Sequence, residues 1–201
     1  MIDIQDNFLL DVQFKKVQEK IIGDEHGMFY KWDPVENFSW ILSPIVRDYS
    51  EETQSKYKKL AGSGNTFKVD HSNTNLNNLQ LVHVFYDNHS PLGSSFELLH
   101  PILNKIHPAA LIRIKANLVM CRDSIIESDM HTDIIQGSTD DYMKTSILYL
   151  NTCNGYTKFE NGDVVESVAN RLVTFPQYLR HCGTTCTDKP LRSVINFNYI
   201  L

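Results

Sequence analysis

The chain has 201 residues, of which 42% are hydrophobic and 21% are charged, and its formal net charge is −5. These values are typical of one globular domain with a sizeable core. The negative charge disfavours non-specific nucleic-acid binding, which needs a basic surface. No apolar run approaches the roughly 20 residues of a membrane helix, and the first residues lack the pattern of a secretory signal. The four cysteines are few for this length and are expected to be reduced, so we predict a cytoplasmic protein.

The first 32 residues predict a short strand, a helix and a second strand. Apolar residues recur at helical spacing after Asp11, which is a plausible N-cap, and Gly23 is a plausible end of the helix. The aromatic run at 28–32 reads as a buried strand. This part of the chain is expected to pack against the outside of a sheet.

Residues 33–92 are dominated by proline, glycine and asparagine, which favour loops. A short exposed helix is predicted at 50–60 and a strand at 79–86. Residues 93–108 predict a further helix, which begins near Pro101 or is kinked there.

From residue 110 the hydrophobic pattern changes to a period of two, which indicates strands. Polar residues at Arg113, Lys115 and Asn117 alternate with small or apolar ones. In a closed β-fold a polar inner face usually marks a site, and Asn117 is then a candidate contact residue. The alternative, that this face contacts solvent, is equally supported by the sequence.

The remaining chain predicts many short strands with short turns, which is typical of a jelly roll. The fold class is therefore mainly β with flanking helices. The predicted strands are 144–151, 157–159, a hairpin of 163–168 and 171–175 across residues 169–170, a short strand beginning at His181, and 191–200.

Four residues in the second half of the chain point to a metal site. His131 and Asp133 are two positions apart, and residues at this spacing in a strand point to the same face. His181 would have to come from a neighbouring strand, and Arg192 follows it. Two histidines and one carboxylate form the facial triad of non-haem iron sites, which leaves coordination positions open. A zinc site at Cys182 and Cys186 is disfavoured because it lacks a fourth ligand.

Three motifs, followed by the basic residue Arg192, occur in the order found in the iron(II)/2-oxoglutarate-dependent dioxygenases, and the second half of the chain resembles their prolyl-4-hydroxylase-like branch. Residues 146–151 read SILYLN and are similar to the hydrophobic-Tyr-Leu-Asn strand of the family. Residues 154–159 read NGYTKF, similar to its Gly-Gly-x-Thr-x-Phe turn, with Asn in place of the first Gly. Residues 171–176 read RLVTFP, and HCG follows at 181–183, which resembles the L-x-F and H-x-G segment. Compact members of this kind also occur in phage genomes.

The resemblance implies a double-stranded β-helix, a cupin-like jelly roll, that uses Fe(II), 2-oxoglutarate and O2 to hydroxylate a substrate, with release of succinate and CO2. It implies that His131, Asp133 and His181 are the metal ligands and the catalytic centre. It also implies that Arg192, where many members have Lys, binds the far carboxylate of 2-oxoglutarate together with Tyr149. Asn117 is a further candidate contact to this co-substrate.

One domain is expected over residues 1–201, with a helical and loop support region at 1–109 and the jelly-roll core at 110–201. The primary substrate, a protein side chain or a small molecule, is not indicated by the sequence. Two alternatives stay open. One is another cupin-like metalloenzyme, which would not need Arg192 or Tyr149, and the other is an inactive jelly-roll binding module.

Overall fold

A computed structural model of the protein describes residues 1–23, 40–43, 79–134 and 141–201. Within these residues lie two α-helices, a 3-10 segment and eleven strands. The helices are α1 (Asp11–Ile22) and α2 (His100–Ile106), and the 3-10 segment is Ser94–Leu99. The strands are β1 (Asp3–Gln5), β2 (Ile41–Ser43), β3 (Gln80–Asp87), β4 (Ser90–Pro91), β5 (Ala110–Met120), β6 (Met143–Tyr149), β7 (Tyr156–Phe159), β8 (Val164–Glu166), β9 (Leu172–Pro176), β10 (His181–Gly183) and β11 (Leu191–Ile200).

Eight of the described strands form one antiparallel sheet in the order β1-β9-β6-β11-β5-β3-β2, with β4 paired to β3. Strand β11 is central and pairs with β5 on one side and β6 on the other. Its odd-numbered residues, such as Ile195 and Phe197, pack on the outer face, whereas Val194 packs on the inner face. Because side chains alternate along a strand, one face of the large sheet packs against the outer hydrophobic cluster and the other face points into the space between the two sheets.

The other three strands form a smaller sheet in the order β10-β7-β8. Side chains from both sheets meet in one buried cluster, in which Phe159 of the small sheet contacts Phe175 of the large sheet at a ring-centroid distance of 4.9 Å. Two antiparallel sheets that enclose a common interior form a jelly roll. The predicted fold class is therefore confirmed.

The outer face of the large sheet is covered by the helices. Phe14, Val17 and Ile21 of α1 and Ile102 of α2 are buried in the same cluster as the outer residues of β5 and β11. This burial explains why α1 is stable at only twelve residues, since short helices depend on packing of their apolar face.

Several predicted elements agree with the structure within one or two residues, including α1, β3, β5 and β11. Helix α1 ends at Gly23 as predicted, with φ of 80° and its N–H donating to the carbonyl of Glu19. The predicted N-cap is wrong, because Leu10 occupies that position without a side-chain cap and Asp11 is the first helical residue.

The predicted hairpin of 163–168 with 171–175 is also wrong. Strand β8 pairs with β7 in the small sheet, whereas β9 pairs with β6 and β1 in the large sheet. The chain changes sheets at Asn170, which has φ of 63° and whose side chain bonds to the backbone of Leu9 in both directions. A turn signal shows that a strand ends but does not identify the next partner.

The predicted strand at 28–32 and the predicted helix at 50–60 lie outside the described residues. The division into a support region and a core at residue 110 stays a prediction. Helices long and apolar enough to cross a membrane are absent from the part of the chain that the structure describes.

Candidate metal centre

Three potential metal ligands, His131, Asp133 and His181, come together in the interior between the sheets. One donor atom of each lies within 4.8 Å of the donor atoms of the other two. The closest approach of the Asp133 carboxylate to His181 is 4.0 Å, from Oδ2 to Nε2. The imidazole rings of His131 and His181 have centroids 5.0 Å apart. The three side chains are thus arranged around one small volume.

Backbone pairing brings the two histidines together. His131 and His181 form an antiparallel bridge in which each N–H donates to the carbonyl of the other at 2.9 Å. The second histidine therefore comes from a neighbouring segment, as the sequence required. The ring of His181 is further fixed by Phe175, whose ring lies 4.8 Å away in a T-shaped arrangement.

Each histidine uses Nδ1 for a backbone carbonyl, which leaves Nε2 for a metal ion. His131 Nδ1 is 2.8 Å from the carbonyl oxygen of Asp129, and His181 Nδ1 is 3.4 Å from that of Leu179. Since a carbonyl only accepts, Nδ1 carries the proton in both rings and Nε2 carries a free lone pair. This is the tautomer that a metal-binding histidine needs.

Burial keeps both imidazoles neutral. It lowers the pKa of His181 to about 4, although the charge of Asp133 opposes this shift. Burial also lowers the pKa of His131. At neutral pH both rings are therefore available as neutral ligands.

Asp133 is ionised although it is buried. Burial alone would raise the pKa of its carboxyl, but the charges of Lys115 and Arg113 outweigh burial and hold the pKa well below its usual range. Its Oδ1 lies 3.6 Å from the guanidinium of Arg113 and 4.0 Å from Lys115 Nζ. That oxygen has no hydrogen-bond partner among the described residues, whereas Oδ2, which lies toward His181, accepts hydrogen bonds from Asn196 and Asn198.

The segment that carries His131 and Asp133 is not a regular strand, so the two residues are not brought to one face by strand geometry alone. His131 makes an isolated bridge, and the backbone bends at Asp133 and Ile134. The two ligands still converge, because side chains of other strands hold Asp133 after the strand pairing has ended.

The histidines open into a cavity between the two sheets. His131, His181, Thr157, Asn117 and Arg192 all line it. Both candidate histidine ligands thus face the same space as Asn117 and Arg192.

Arg192 is a buried cation in this cavity. Its side chain donates from one terminal nitrogen to Thr157 Oγ1 at 3.0 Å, and its guanidinium lies 5.5 Å from the centre of the Tyr149 ring. Within the described residues it has no carboxylate partner, and its Nε is buried without a hydrogen bond. A buried guanidinium without an anion is costly, so this arrangement fits a site for an anionic ligand.

Two glycines make room for Arg192. A Cβ on Gly155 would lie 2.7 Å from Arg192 Cδ and 2.8 Å from the carbonyl oxygen of Thr185, and a Cβ on Gly183 would lie 3.2 Å from an Arg192 terminal nitrogen. Contacts below 3.0 Å are not tolerated without movement. The glycine of the NGYTKF turn and the glycine of the HCG segment therefore have a steric role.

Tyr149 and Asn117 differ in their relation to the cavity. Tyr149 is fully buried, and its hydroxyl donates to Thr157 Oγ1 at 2.8 Å rather than lining the cavity. Asn117 does line the cavity, and its Oδ1 is buried without a hydrogen bond among the described residues. Lys115 and Asn117 both face inward, so the inner-face alternative for the polar side of β5 is the one the structure shows.

Three residues of the site, Asn196, Asn198 and Thr157, were not among those predicted from the sequence. Asn196 and Asn198 donate to the carboxylate of Asp133, and Thr157 joins Tyr149 to Arg192. The signal for the asparagines was present, because polar residues at alternate positions of an otherwise apolar central strand indicate a polar inner face.

A second group of potential ligands lies outside this cavity. Cys153, Cys186 and Asp188 have donor atoms within 4.8 Å of one another. Burial and the neighbouring Cys153 raise the pKa of Cys186 to about 12, so this thiol is protonated at neutral pH. Cys186 thus groups with Cys153, not with the Cys182 considered in the sequence, and all four cysteines are free.

No protein-family model and no curated protein sequence matches this chain. Among solved structures, a prolyl hydroxylase from Trichoplax adhaerens in complex with a hypoxia-inducible-factor peptide is similar over 99% of this chain and 83% of its own, at 12% identity and a TM-score of 0.54. AviO1 from Streptomyces viridochromogenes is similar over 100% of this chain and 89% of its own, also at 12% identity and a TM-score of 0.54. A viral collagen prolyl hydroxylase from Paramecium Bursaria Chlorella virus-1 has a TM-score of 0.45 at 12% identity, covering 100% of this chain and 96% of its own.

At these identities the similarities concern the fold. The chain shares the jelly roll of a solved prolyl hydroxylase, which is the fold that the sequence motifs implied.

Proposed function

We propose that this chain is a non-haem Fe(II)/2-oxoglutarate-dependent dioxygenase of the prolyl-4-hydroxylase-like kind, which hydroxylates a substrate that is not yet identified. One observation carries the proposal. A His-Asp-His cluster and a buried arginine without a carboxylate partner in the described chain line or adjoin the same cavity. The metal cluster and the anion site together are what this chemistry requires.

The donor set fits Fe(II). Two neutral imidazoles present Nε2, and one ionised carboxylate retains a buried oxygen without a hydrogen bond among the described residues. Nitrogen and carboxylate ligands from one side of an ion, with positions left open, are typical of non-haem iron(II) oxygenases. His131, Asp133 and His181 would hold the ion.

Arg192 and Thr157 would bind the far carboxylate of 2-oxoglutarate. The guanidinium provides a planar pair of donors and stays charged when buried. Tyr149 would act through Thr157, since its proton is already donated to that hydroxyl. Asn117 lines the cavity and would contact the co-substrate from β5 through its side-chain amide N–H.

When Fe(II), 2-oxoglutarate and O2 are bound together, they supply an oxidative decarboxylation that releases succinate and CO2 and places one oxygen atom in a C–H bond of the substrate. The chain contributes neutral histidines, a fixed carboxylate and a buried cation. The two sheets that line the cavity would limit the access of water to the reacting groups.

The primary substrate is a protein side chain or a small molecule, and the motifs place the chain nearer to the enzymes that act on prolyl residues. Fold and branch do not determine substrate. The cytoplasmic location likewise stays a prediction.

A succinate assay tests the proposal. We expect the protein with Fe(II), 2-oxoglutarate and O2 to form succinate, and Asp133→Ala to reduce the rate to that measured without iron. Asp163→Ala is the matched control, because Asp163 is exposed in the turn before β8 and its loss should leave the rate unchanged. Equal succinate formation by the Asp133→Ala variant would contradict the proposal.

Of the two alternatives, another cupin-like metalloenzyme does not explain the buried Arg192, and an inactive binding module does not explain three convergent metal donors. Both are therefore less well supported by the site.

A further inference from the structure

His131 and Asp133 are held in different ways. His131 is fixed by two backbone hydrogen bonds to His181. Asp133 lies two residues further on, where the backbone bends, and it makes no β-bridge with the strands that the structure describes. Strand pairing therefore does not determine the direction of its carboxylate, and side chains must do so.

Two buried amides bond to that carboxylate. Asn196 Nδ2 donates to Asp133 Oδ2 at 3.0 Å, and Asn198 Nδ2 donates to the same oxygen at 3.2 Å. The two asparagines are 5% and 0% exposed and lie two positions apart on the central strand β11, so they share its inner face. Arg113, the register partner of Asn198 on β5, donates to the backbone carbonyl of Asp133.

Two cations attract the other carboxylate oxygen of Asp133, Oδ1. Asp133 Oδ1 lies 3.6 Å from Arg113 and 4.0 Å from Lys115, just outside hydrogen-bond distance. Rotation toward these groups would convert the carboxylate into a closed ion pair. The two neutral amides oppose that rotation, because each gives the opposite oxygen a directed hydrogen bond in a buried, low-dielectric setting.

We propose that Asn196 and Asn198 are positioning residues that hold the carboxylate of Asp133 ready for a metal ion, against the attraction of Arg113 and Lys115. This inference rests on the proposed function, because it assigns Asp133 as a metal ligand. Groups that orient metal ligands typically change metal affinity about 10- to 100-fold when they are removed. The asparagines are neutral, so they orient the carboxylate without adding charge to the site.

The test measures metal affinity rather than turnover. Metal-free protein is titrated anaerobically with Fe(II), and separately with Co(II), whose absorption spectrum reports the ligand geometry. We expect Asn196→Leu and Asn198→Leu each to weaken binding about 10- to 100-fold and to reduce the rise in Tm on adding Co(II). Asn196→Ser is a second variant in case leucine prevents folding, since the shorter hydroxyl cannot reach Asp133.

Ser146→Ala is the matched control, because Ser146 is a buried polar residue of β6 that bonds to Thr174 and Tyr199. It should lower the Tm of the metal-free protein without changing the affinity for the metal. Asparagine variants that fold and bind Co(II) within twofold of the unchanged protein would overturn the positioning role and leave the proposed function standing. An unchanged protein that binds neither metal would overturn both.

Discussion

The surroundings of Arg192 indicate the charge of the ligand that this cavity would bind. It is buried, it bonds to a neutral hydroxyl, and no carboxylate among the described residues pairs with it. The room for its side chain depends on Gly155 and Gly183, because a Cβ at either position would crowd Arg192. Burial of a cation without a counter-charge has an unfavourable desolvation free energy, which indicates that an anionic ligand binds beside it.

Replacement of Arg192 should therefore act on 2-oxoglutarate and not on iron. We expect Arg192→Met to raise the KM for 2-oxoglutarate by about 30-fold or more, because loss of one partner of a buried charged pair costs roughly 2–5 kcal/mol. Arg192→Lys keeps the charge but not the planar fork and should have a smaller effect. The measurement is the rate of succinate formation at varied 2-oxoglutarate.

Arg171→Met is the control for this prediction, since Arg171 pairs with Asp6 away from the cavity. It should leave the KM unchanged. An unaltered KM in Arg192→Met would mean that the anchor for the co-substrate lies elsewhere.

The neutral state of His181 predicts how stability changes with pH in the metal-free protein. Its pKa is about 4 in the folded chain, compared with an ordinary value of 6.5 for histidine. Between these values the unfolded chain binds a proton that the folded chain does not, so stability falls as the pH drops from about 6.5 to about 4. Above 6.5 the ring is neutral in both states and makes no contribution.

The measurement is the free energy of unfolding by urea at a series of pH values, with a chelator present. His181→Leu should reduce the slope of the profile between pH 6.5 and pH 4, because one of the groups whose pKa is lowered by burial is gone. Parallel profiles for the variant and the unchanged protein would show that His181 is not held neutral by burial.

At the scale of elements, Asn170 determines how the last strands are connected. It has φ of 63°, which asparagine tolerates better than most residues, and its amide bonds to both the N–H and the carbonyl of Leu9. The chain passes here from the small sheet to the large sheet, and the hydrogen bonds of the same residue fix Leu9 in the segment before α1.

Asn170→Ala should destabilise the fold by about 2–4 kcal/mol. The substitution leaves the buried N–H and carbonyl of Leu9 without their hydrogen bonds, and alanine tolerates a positive φ less well than asparagine. Urea unfolding at neutral pH measures this. Asn161→Ala is the control, because the bonds of its side chain within the described residues are to exposed Asp163 in a surface turn. Similar losses in both variants would contradict the structural role of Asn170.

The elements also show where sequence reasoning succeeds and where it stops. The period-two pattern of 110–119 identified β5, and the spacing of apolar residues identified α1. Pairing was not predictable in the same way, because the signals for a turn at Asn170 are local whereas the partner of β9 is set by burial against β6 and β1.

The same limit applies within the candidate site. The order of His131, Asp133 and His181 was readable, since ligand type and spacing are sequence properties. The support of Asp133 by Asn196 and Asn198 was not, because it depends on the register of β11 against β5 and on a bend after His131. Tyr149 was assigned a direct contact, but its hydroxyl bonds to Thr157, which only the packing of β6 on β7 reveals.

At the scale of the whole molecule, two antiparallel sheets enclose one cavity, and the chain places the metal donors and the buried arginine around it. The small sheet supplies Thr157 and His181, and the large sheet supplies Asn117 and Arg192. The jelly roll thus brings together residues that are far apart in sequence, and this convergence is the physical basis of the proposed activity.

The most direct test of that activity is an anaerobic titration of the metal-free protein with Fe(II) and then with 2-oxoglutarate, followed by visible absorption. A keto acid chelated to iron gives a weak charge-transfer band in the visible region. We predict that this band develops with 2-oxoglutarate and is absent with succinate, which lacks the keto oxygen. Iron binding without the band would indicate a different metalloenzyme, and failure to bind iron at all would contradict the metal centre itself.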